Sequence, residues 1–203
     1  MPYAFLRKSM GLLDAVLTLV EGGFAEEAQI LARVLVETRI DVEYFLLLAE
    51  QSHVRALARV IDAKMLDKLK ALRATEFRLG DRGVERGKWE AFEREILDRH
   101  TDEDIDGLRR HGFAGVSLEA RAAKTNNKAL YDLAYRLYSG HVHATEIHEQ
   151  LMRRLSPELS GAFEETLVPA VRGISVDCVV VVIDRVSRWM GDPLGVCEDP
   201  RTK

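Results

Sequence analysis

The 203-residue sequence has few cysteines, few prolines and no long apolar run, and each scarcity excludes a class of protein. Cys178 and Cys197 are too few for a disulfide-stapled domain or a zinc site, which suits a reducing compartment. With only five prolines, long segments run without a helix breaker, which favours helices. The most apolar run, Val176 to Ile183, is shorter than the roughly 20 residues that cross a bilayer. We therefore expect a soluble, cytoplasmic protein with no membrane partner.

The charge balance is also small, because the formal net charge is only -4 although 31% of the residues are charged. This balance gives the whole chain no attraction to nucleic acid or to an anionic membrane surface. From Lys64 to Arg99, basic and acidic side chains alternate, as on a solvated surface. Because 47% of the residues are hydrophobic, the chain has enough apolar surface for a folded core.

Apolar residues at helical spacing predict an all-α fold, a helical bundle with an irregular, partly helical insertion. The run Val179 to Ile183 is β-branched, but one isolated strand would have no partner, so a helix is the better interpretation. We predict a single domain over 1–203, with a polar insertion at about 73–115 and a tail at 191–203. The predicted helices are Phe5–Val20, Phe24–Ala49, Ser52–Leu72, Trp89–Leu97, Thr101–His111, Ser117–Lys124, one from Asn126 or Asn127 through His143, and Val168–Met190.

One segment concentrates the chemically active side chains of the chain: Tyr135-Arg136-Leu137-Tyr138-Ser139-Gly140-His141-Val142-His143. At about 100° per residue, His143 returns to within about 20° of Arg136 around a helix. Asp132, Ser139 and Glu146 fall on the same side, whereas the other nearby histidines, His141 and His148, fall among apolar residues. We call the five residues on the first side the polar stripe: Asp132, Arg136, Ser139, His143 and Glu146.

A second pair of charges lies on the second predicted helix, where Arg33 and Glu37 are four residues apart. Their neighbours are almost all apolar: Ile30, Leu31, Val34, Leu35, Val36 and Ile40. A helix that is apolar nearly all round is usually buried, and unpaired buried charges are costly. The sequence therefore predicts that Arg33 and Glu37 meet partners on another helix, and the polar stripe is the candidate.

Two of these motifs resemble a known family. The run Gly23-Phe24-Ala25-Glu26-Glu27-Ala28, followed by Leu31-Ala32-Arg33-Val34-Leu35-Val36-Glu37, and the later Tyr135-Arg136-x-x-Ser139-x-x-x-His143 resemble a bacterial and phage family catalogued as domain of unknown function 5677. The resemblance extends from the second helix through His148. It implies a helical bundle with an unassigned activity.

The same late segment also resembles the HEPN superfamily of helical ribonucleases and nucleotide-binding proteins. Their signature is an arginine followed after four to six residues by a histidine, and Arg136 with His141 or His143 fits it, although Leu137 stands where a polar residue is commonest. This resemblance implies a homodimer that pairs its late helices.

Ribonuclease chemistry needs the residue types found here. Arg136 would bind the scissile phosphate, His143 would transfer protons and Ser139 would add a hydrogen-bond donor. The supporting polar cluster would be Arg33, Glu37, Asp132 and Glu146. We expect RNA as the partner, with no cofactor and no bound metal.

A structural interpretation explains the same cluster without catalysis. Arg136 would pair with Glu37, and His143 with Asp132 or Glu146, so that the cluster fixes helix register. The chain would then be a non-catalytic interaction or sensor module. Its docking surface would be an exposed face of the middle segment, with Trp89 and Phe92.

A metal or small-ligand site in the bundle is a further alternative. The available ligand atoms belong to Glu37, Asp41, Glu43, His143 and Glu146. Di-metal bundles carry Glu-x-x-His on two helices. This chain has the order reversed, His143-x-x-Glu146, and has it once.

Overall fold

The computed structural model describes residues 2–79, 86–135 and 157–191, and within these ranges the chain is all-α, without a strand. The all-α prediction is confirmed. The elements are α1 Pro2–Glu21, α2 Ala25–Gln51, α3 His53–Leu79, α4 Arg86–Leu97, α5 Asp102–His111, a 3-10 turn Gly112–Ala114, α6 Leu118–Lys124, α7 Lys128–Leu130, a π-helical turn Tyr131–Tyr135 and α8 Pro157–Trp189.

Several helices begin at the polar residues that the sequence predicts. The Thr101 hydroxyl accepts a hydrogen bond from the Asp104 amide at 3.3 Å, and the Ser117 hydroxyl accepts one from the Ala120 amide at 3.2 Å. Each hydroxyl satisfies an amide that the first turn leaves without a helical partner. Between α1 and α2, Gly23 has a φ of 83°, a left-handed conformation that glycine adopts without steric cost.

The last helix is longer than predicted, since α8 begins at Pro157 rather than near Val168. The β-branched run around Val179 is helical, as predicted, and is buried on one side of α8. The stretch Glu165–Trp189 is also long and apolar enough to cross a membrane, and 33% of its most apolar window is buried in the protein. Length and composition alone do not separate a core helix from a membrane span.

Two compact units make up the chain: unit 1 comprises Met1–Glu43 and Ala122–Lys203, and unit 2 comprises Tyr44–Arg121. In unit 1, α1 packs along α8. Its buried apolar side chains come from α1, α2 and α8 and include Val16, Val20, Leu35, Val36, Ile40, Val171, Cys178, Val182 and Val186. Burying each valine or leucine contributes about 1.5–3 kcal/mol before the entropy of folding is subtracted.

Unit 2 has its own core, in which α3 packs against α4, α5 and the 3-10 turn. The core residues are Ala63, Leu66, Leu69, Ile96 and Leu108, with Met65, Phe92, Leu97 and Phe113 packed around them. Phe92 is therefore not part of an exposed docking face, because it lies four residues before buried Ile96 and on the same side of α4. Trp89 is 38% exposed.

Candidate functional site

The predicted catalytic residues Arg136, Ser139 and His143 lie outside the described residues, as does Glu146. Three members of the supporting cluster are described: Arg33, Glu37 and Asp132. Their contacts can be compared directly with what the sequence predicts.

Arg33 and Glu37 contact each other on α2. The Arg33 Nε lies 3.0 Å from the Glu37 Oε1, and their side chains are 16% and 32% exposed. Arg33 therefore supplies Glu37 with a cation from its own helix, because residues four apart face each other on an α-helix. Any contact of this pair with Arg136 or His143 stays a prediction.

Asp132 lies in the π-helical turn and pairs with Lys128, whose Nζ is 2.6 Å from both carboxylate oxygens. The same Nζ lies 5.4 Å from the centre of the Tyr131 ring. A π-helical turn closes its hydrogen bonds over one more residue than an α-helical turn. The prediction that Asp132 shares a side with Arg136 assumed α-helical spacing, whereas Tyr131–Tyr135 is π-helical. Because Arg136 lies outside the described residues, it stays a prediction.

Sequence reasoning missed a polar contact between α2 and α8. Arg39 donates to Glu43 on its own helix at 3.3 Å and to Asp177 on α8. The buried Cys178 thiol lies beside it, and burial raises the pKa of this thiol to about 11, although the Arg39 charge opposes the shift. Cys178 is therefore a protonated, poorly nucleophilic thiol at neutral pH, and the cluster joins two helices.

In unit 2, Asp62 of α3 is a buried carboxylate with two basic partners. His100 Nε2 lies 2.9 Å from Asp62 Oδ2, and Arg99 Nη2 lies 3.3 Å from Oδ1. The Asp62 side chain is 3% exposed and that of His100 is 10% exposed. A buried charge is tolerated when it is paired and hydrogen-bonded, as Asp62 is here. Sequence reasoning missed this contact, because 38 residues separate His100 from Asp62 along the chain.

One turn earlier on α3, Arg59 contacts the segment that follows α5. Its Nε donates to the Phe113 carbonyl at 3.2 Å, and its Nη1 donates to Asp104 Oδ1 at 2.8 Å. The hydrogen bond from Arg59 holds the pKa of the Asp104 carboxyl below its usual range. Arg59 thus joins α3 to both ends of α5.

The Asp62 and Arg59 clusters line one cleft of unit 2 with a volume of about 900 Å³. Within the described ranges, no group of three or more histidine, cysteine or carboxylate side chains is placed to hold a metal ion. The cleft instead brings together guanidinium groups, carboxylates and an imidazole that is held by a carboxylate. Such groups bind anions and hydroxyls and transfer protons.

Comparison with known proteins gives one match. The model of a family described as "Family of unknown function (DUF5677)" matches residues 1–162. The matched range includes the whole polar stripe and all of unit 2. No curated protein and no solved structure matches the chain.

Proposed function

Because this chain belongs to the DUF5677 family, whose description assigns no activity, we propose from its own residues that it is a metal-independent ribonuclease with Arg136 and His143 at its active site. Arg136, Ser139 and His143 supply a phosphate ligand, a hydrogen-bond donor and a proton carrier within eight residues. The likeness to HEPN ribonucleases supports the same chemistry.

The π-helical turn Tyr131–Tyr135 is the structural feature that supports this proposal most directly, since it ends at the residue before Arg136. π-helical turns are rare, and they occur frequently at functional sites. Within this turn, the Asp132 carboxylate pairs with Lys128 of α7, so that the two charges balance each other.

The reaction itself needs only an acid, a base and a cation. The substrate 2′-hydroxyl loses its proton to a base, its oxygen forms a bond to the adjacent phosphorus, and the bond from phosphorus to the 5′-oxygen breaks. The departing 5′-oxygen takes up a proton, which leaves a 2′,3′-cyclic phosphate and a 5′-hydroxyl. His143 carries the proton, and Arg136 stabilises the charge on the phosphate oxygens.

The assembly and location follow from the same proposal. We propose a cytoplasmic homodimer, in which the late helices of two copies pair and present two Arg136/His143 segments to one RNA. The small net charge means that RNA is bound by a local site rather than by the field of the whole protein.

The test is cleavage of a mixed RNA panel by the purified full-length protein in EDTA, beside Arg136→Ala and His143→Ala. We expect each variant to lose about 10²–10⁴-fold in rate, the range that acid–base and charge-stabilising groups contribute. Products should end in a cyclic phosphate, and a substrate with a 2′-deoxy nucleotide at the cleaved position should resist.

Matched controls come from unit 2, where Arg110 and His111 are exposed at the end of α5. Arg110→Ala and His111→Ala should cut like the unmodified protein. Cutting that persists in both Arg136→Ala and His143→Ala would contradict the mechanism. No cutting by the unmodified protein, together with lower thermal stability of both variants, would favour a structural cluster.

A further inference from the structure

The cleft of unit 2 is separate in sequence from the Arg136–His143 segment and carries its own set of charges. Its volume of about 900 Å³ lies within the range of small-molecule sites, roughly 300–1,000 Å³. Its walls come from α3, from the C-terminal end of α2, and from α5 with the segments that flank it.

Most of the charges in the cleft neutralise one another. Arg59 pairs with Asp104, and Asp62 pairs with Arg99 and His100. Among the described residues, two charged groups of the cleft have no ion-pair partner, and they are opposite in sign: Arg55 on α3 and Glu103 on α5. A ligand that satisfies both must present an anion and hydrogen-bond donors.

Arg55 is placed to bind the anion. It is exposed and lies one turn before Arg59, so both guanidinium groups lie on the cleft side of α3. Arg99 also lines the cleft, with 48% of its side chain exposed, and its contact with Asp62 uses Nη2. Because Arg99 Nε donates to the Glu95 carbonyl, Arg99 adds its Nη1 to the N–H donors that Arg55 offers. Guanidinium N–H groups of this kind bind phosphate oxygens.

The remaining lining suits the organic part of a phosphorylated molecule. Glu103 offers carboxylate oxygens, which accept hydrogen bonds from sugar hydroxyls. Apolar side chains complete the walls: Leu48, Ala58, Ala114 and Val116. A flat, weakly polar ring would contact this apolar part.

We propose that the cleft of unit 2 binds a phosphorylated nucleoside, with its phosphate on Arg55 and Arg99, a ribose hydroxyl on Glu103 and its base on the apolar wall. His100, whose Nε2 contacts Asp62, lines the same cleft. A nucleic-acid strand fits less well, because strands are bound by extended cationic grooves, and most charges of this cleft are neutralised internally.

The test is equilibrium dialysis of the full-length protein with radiolabelled AMP and ADP, and with adenosine and inorganic phosphate as partial ligands. We expect one nucleotide per chain, and adenosine at least about tenfold weaker, because adenosine lacks the charge-assisted contact of the phosphate. Arg55→Gln should weaken nucleotide binding about tenfold or more, with little change in stability, since Arg55 is exposed and has no ion pair.

Two control variants locate the binding. Arg110→Gln, an exposed arginine of α5 outside the cleft, should bind like the unmodified protein. Arg136→Ala should also bind normally, so failure of the ribonuclease proposal would leave this one standing. Loss of binding in Arg136→Ala but not in Arg55→Gln would overturn the assignment to unit 2.

Other outcomes also decide the proposal. It is wrong if neither nucleotide binds, or if adenosine binds as tightly as AMP. It is also wrong if a deoxyoligonucleotide binds through Arg55 while both mononucleotides do not. A deoxyoligonucleotide is used because the proposed ribonuclease activity would leave it intact.

Discussion

At the scale of single residues, two glycines of unit 2 allow the close approach of α5 and the turn that follows it. A Cβ on Gly107 would lie 2.7 Å from the Gly115 carbonyl oxygen, and a Cβ on Gly115 would lie 2.8 Å from Arg59 Nη2. Gly115 also has a φ of 67°, in the left-handed region. A side chain at either position would disturb the contact through which Arg59 holds α5.

Gly115→Ala is expected to lower the free energy of unfolding by about 1–3 kcal/mol, because alanine is strained at this φ and its methyl meets Arg59. Gly173→Ala is the matched control, since Gly173 lies inside α8 with open space around it. That change should stabilise the protein by about 0.5–1 kcal/mol. Urea unfolding followed by circular dichroism measures both, and equal effects of the same sign would contradict this account.

Cys178 should make stability depend on pH in the alkaline range. Its pKa is raised from 9.0 to about 11 by burial, so the folded chain keeps the thiol protonated where the unfolded chain ionises it. The protonated thiol therefore contributes fully to the free energy of unfolding below about pH 9, and this contribution is lost as the pH rises towards 11. The loss is roughly 2–3 kcal/mol, since each pKa unit corresponds to about 1.4 kcal/mol.

The measurement compares urea unfolding of two proteins between pH 8 and 11. Both carry Cys197→Ser, and one of them also carries Cys178→Ala, so that they differ only in the Cys178 thiol. Cys178→Ala should be less stable at pH 8, and the difference between the two proteins should shrink as the pH rises. Parallel curves would show that Cys178 does not titrate as proposed. Other groups that ionise in this range affect both proteins alike.

At the scale of elements, α2 shows how an apolar helix carries charges. Arg33 pairs with Glu37, and Arg39 pairs with Glu43, each four residues along the same helix. Pairing within the helix reduces the cost of burying each charge. Arg39 also contacts Asp177 of α8, so it contributes to the packing of α2 on α8 as well as to the charge balance within α2.

Arg39→Leu is expected to destabilise the protein by about 3–5 kcal/mol, because it leaves Glu43, 12% exposed, without its cation. Asp177→Asn removes the other partner, but this carboxylate is 62% exposed, and its loss should cost about 1 kcal/mol or less. Thermal and urea unfolding of both variants test whether Arg39→Leu destabilises the protein more than Asp177→Asn does. Equal losses would mean that Glu43 does not depend on Arg39.

The sequence predicts where helices begin better than it predicts an irregular turn within a helix or a contact between two helices. Helix starts at Thr101 and Ser117 follow from local hydrogen bonds, which depend on residues three apart and are therefore visible in the sequence. The π-helical turn at Tyr131–Tyr135 has no such local signal, so the α-helical spacing expected around Asp132 differs from the π-helical spacing observed there. Asp62 and His100 were missed because their contact depends on how α3 packs in unit 2.

At the scale of the whole molecule, α8 is consistent with two locations of the chain. Its stretch Glu165–Trp189 is long and apolar enough to span a membrane. The same helix packs along α1 in unit 1, and Asp177, near its middle, pairs with Arg39 of α2. Charged groups at the centre of a bilayer are costly, whereas a half-buried pair at a helix contact is not.

We therefore predict that the full-length chain, expressed without a tag, stays in the supernatant after high-speed centrifugation and after carbonate extraction of the membrane pellet. A protein with one transmembrane helix, processed in parallel, should stay in the pellet. Arg39→Leu/Asp177→Leu is the informative variant, because it removes the ion pair between α2 and α8 and leaves the length of α8 unchanged. If the unmodified chain leaves the pellet only with detergent, α8 spans the membrane, and the cytoplasmic ribonuclease proposal loses its premise of a soluble chain. If only the variant pellets, the ion pair between α2 and α8 is what keeps this helix in the core of unit 1.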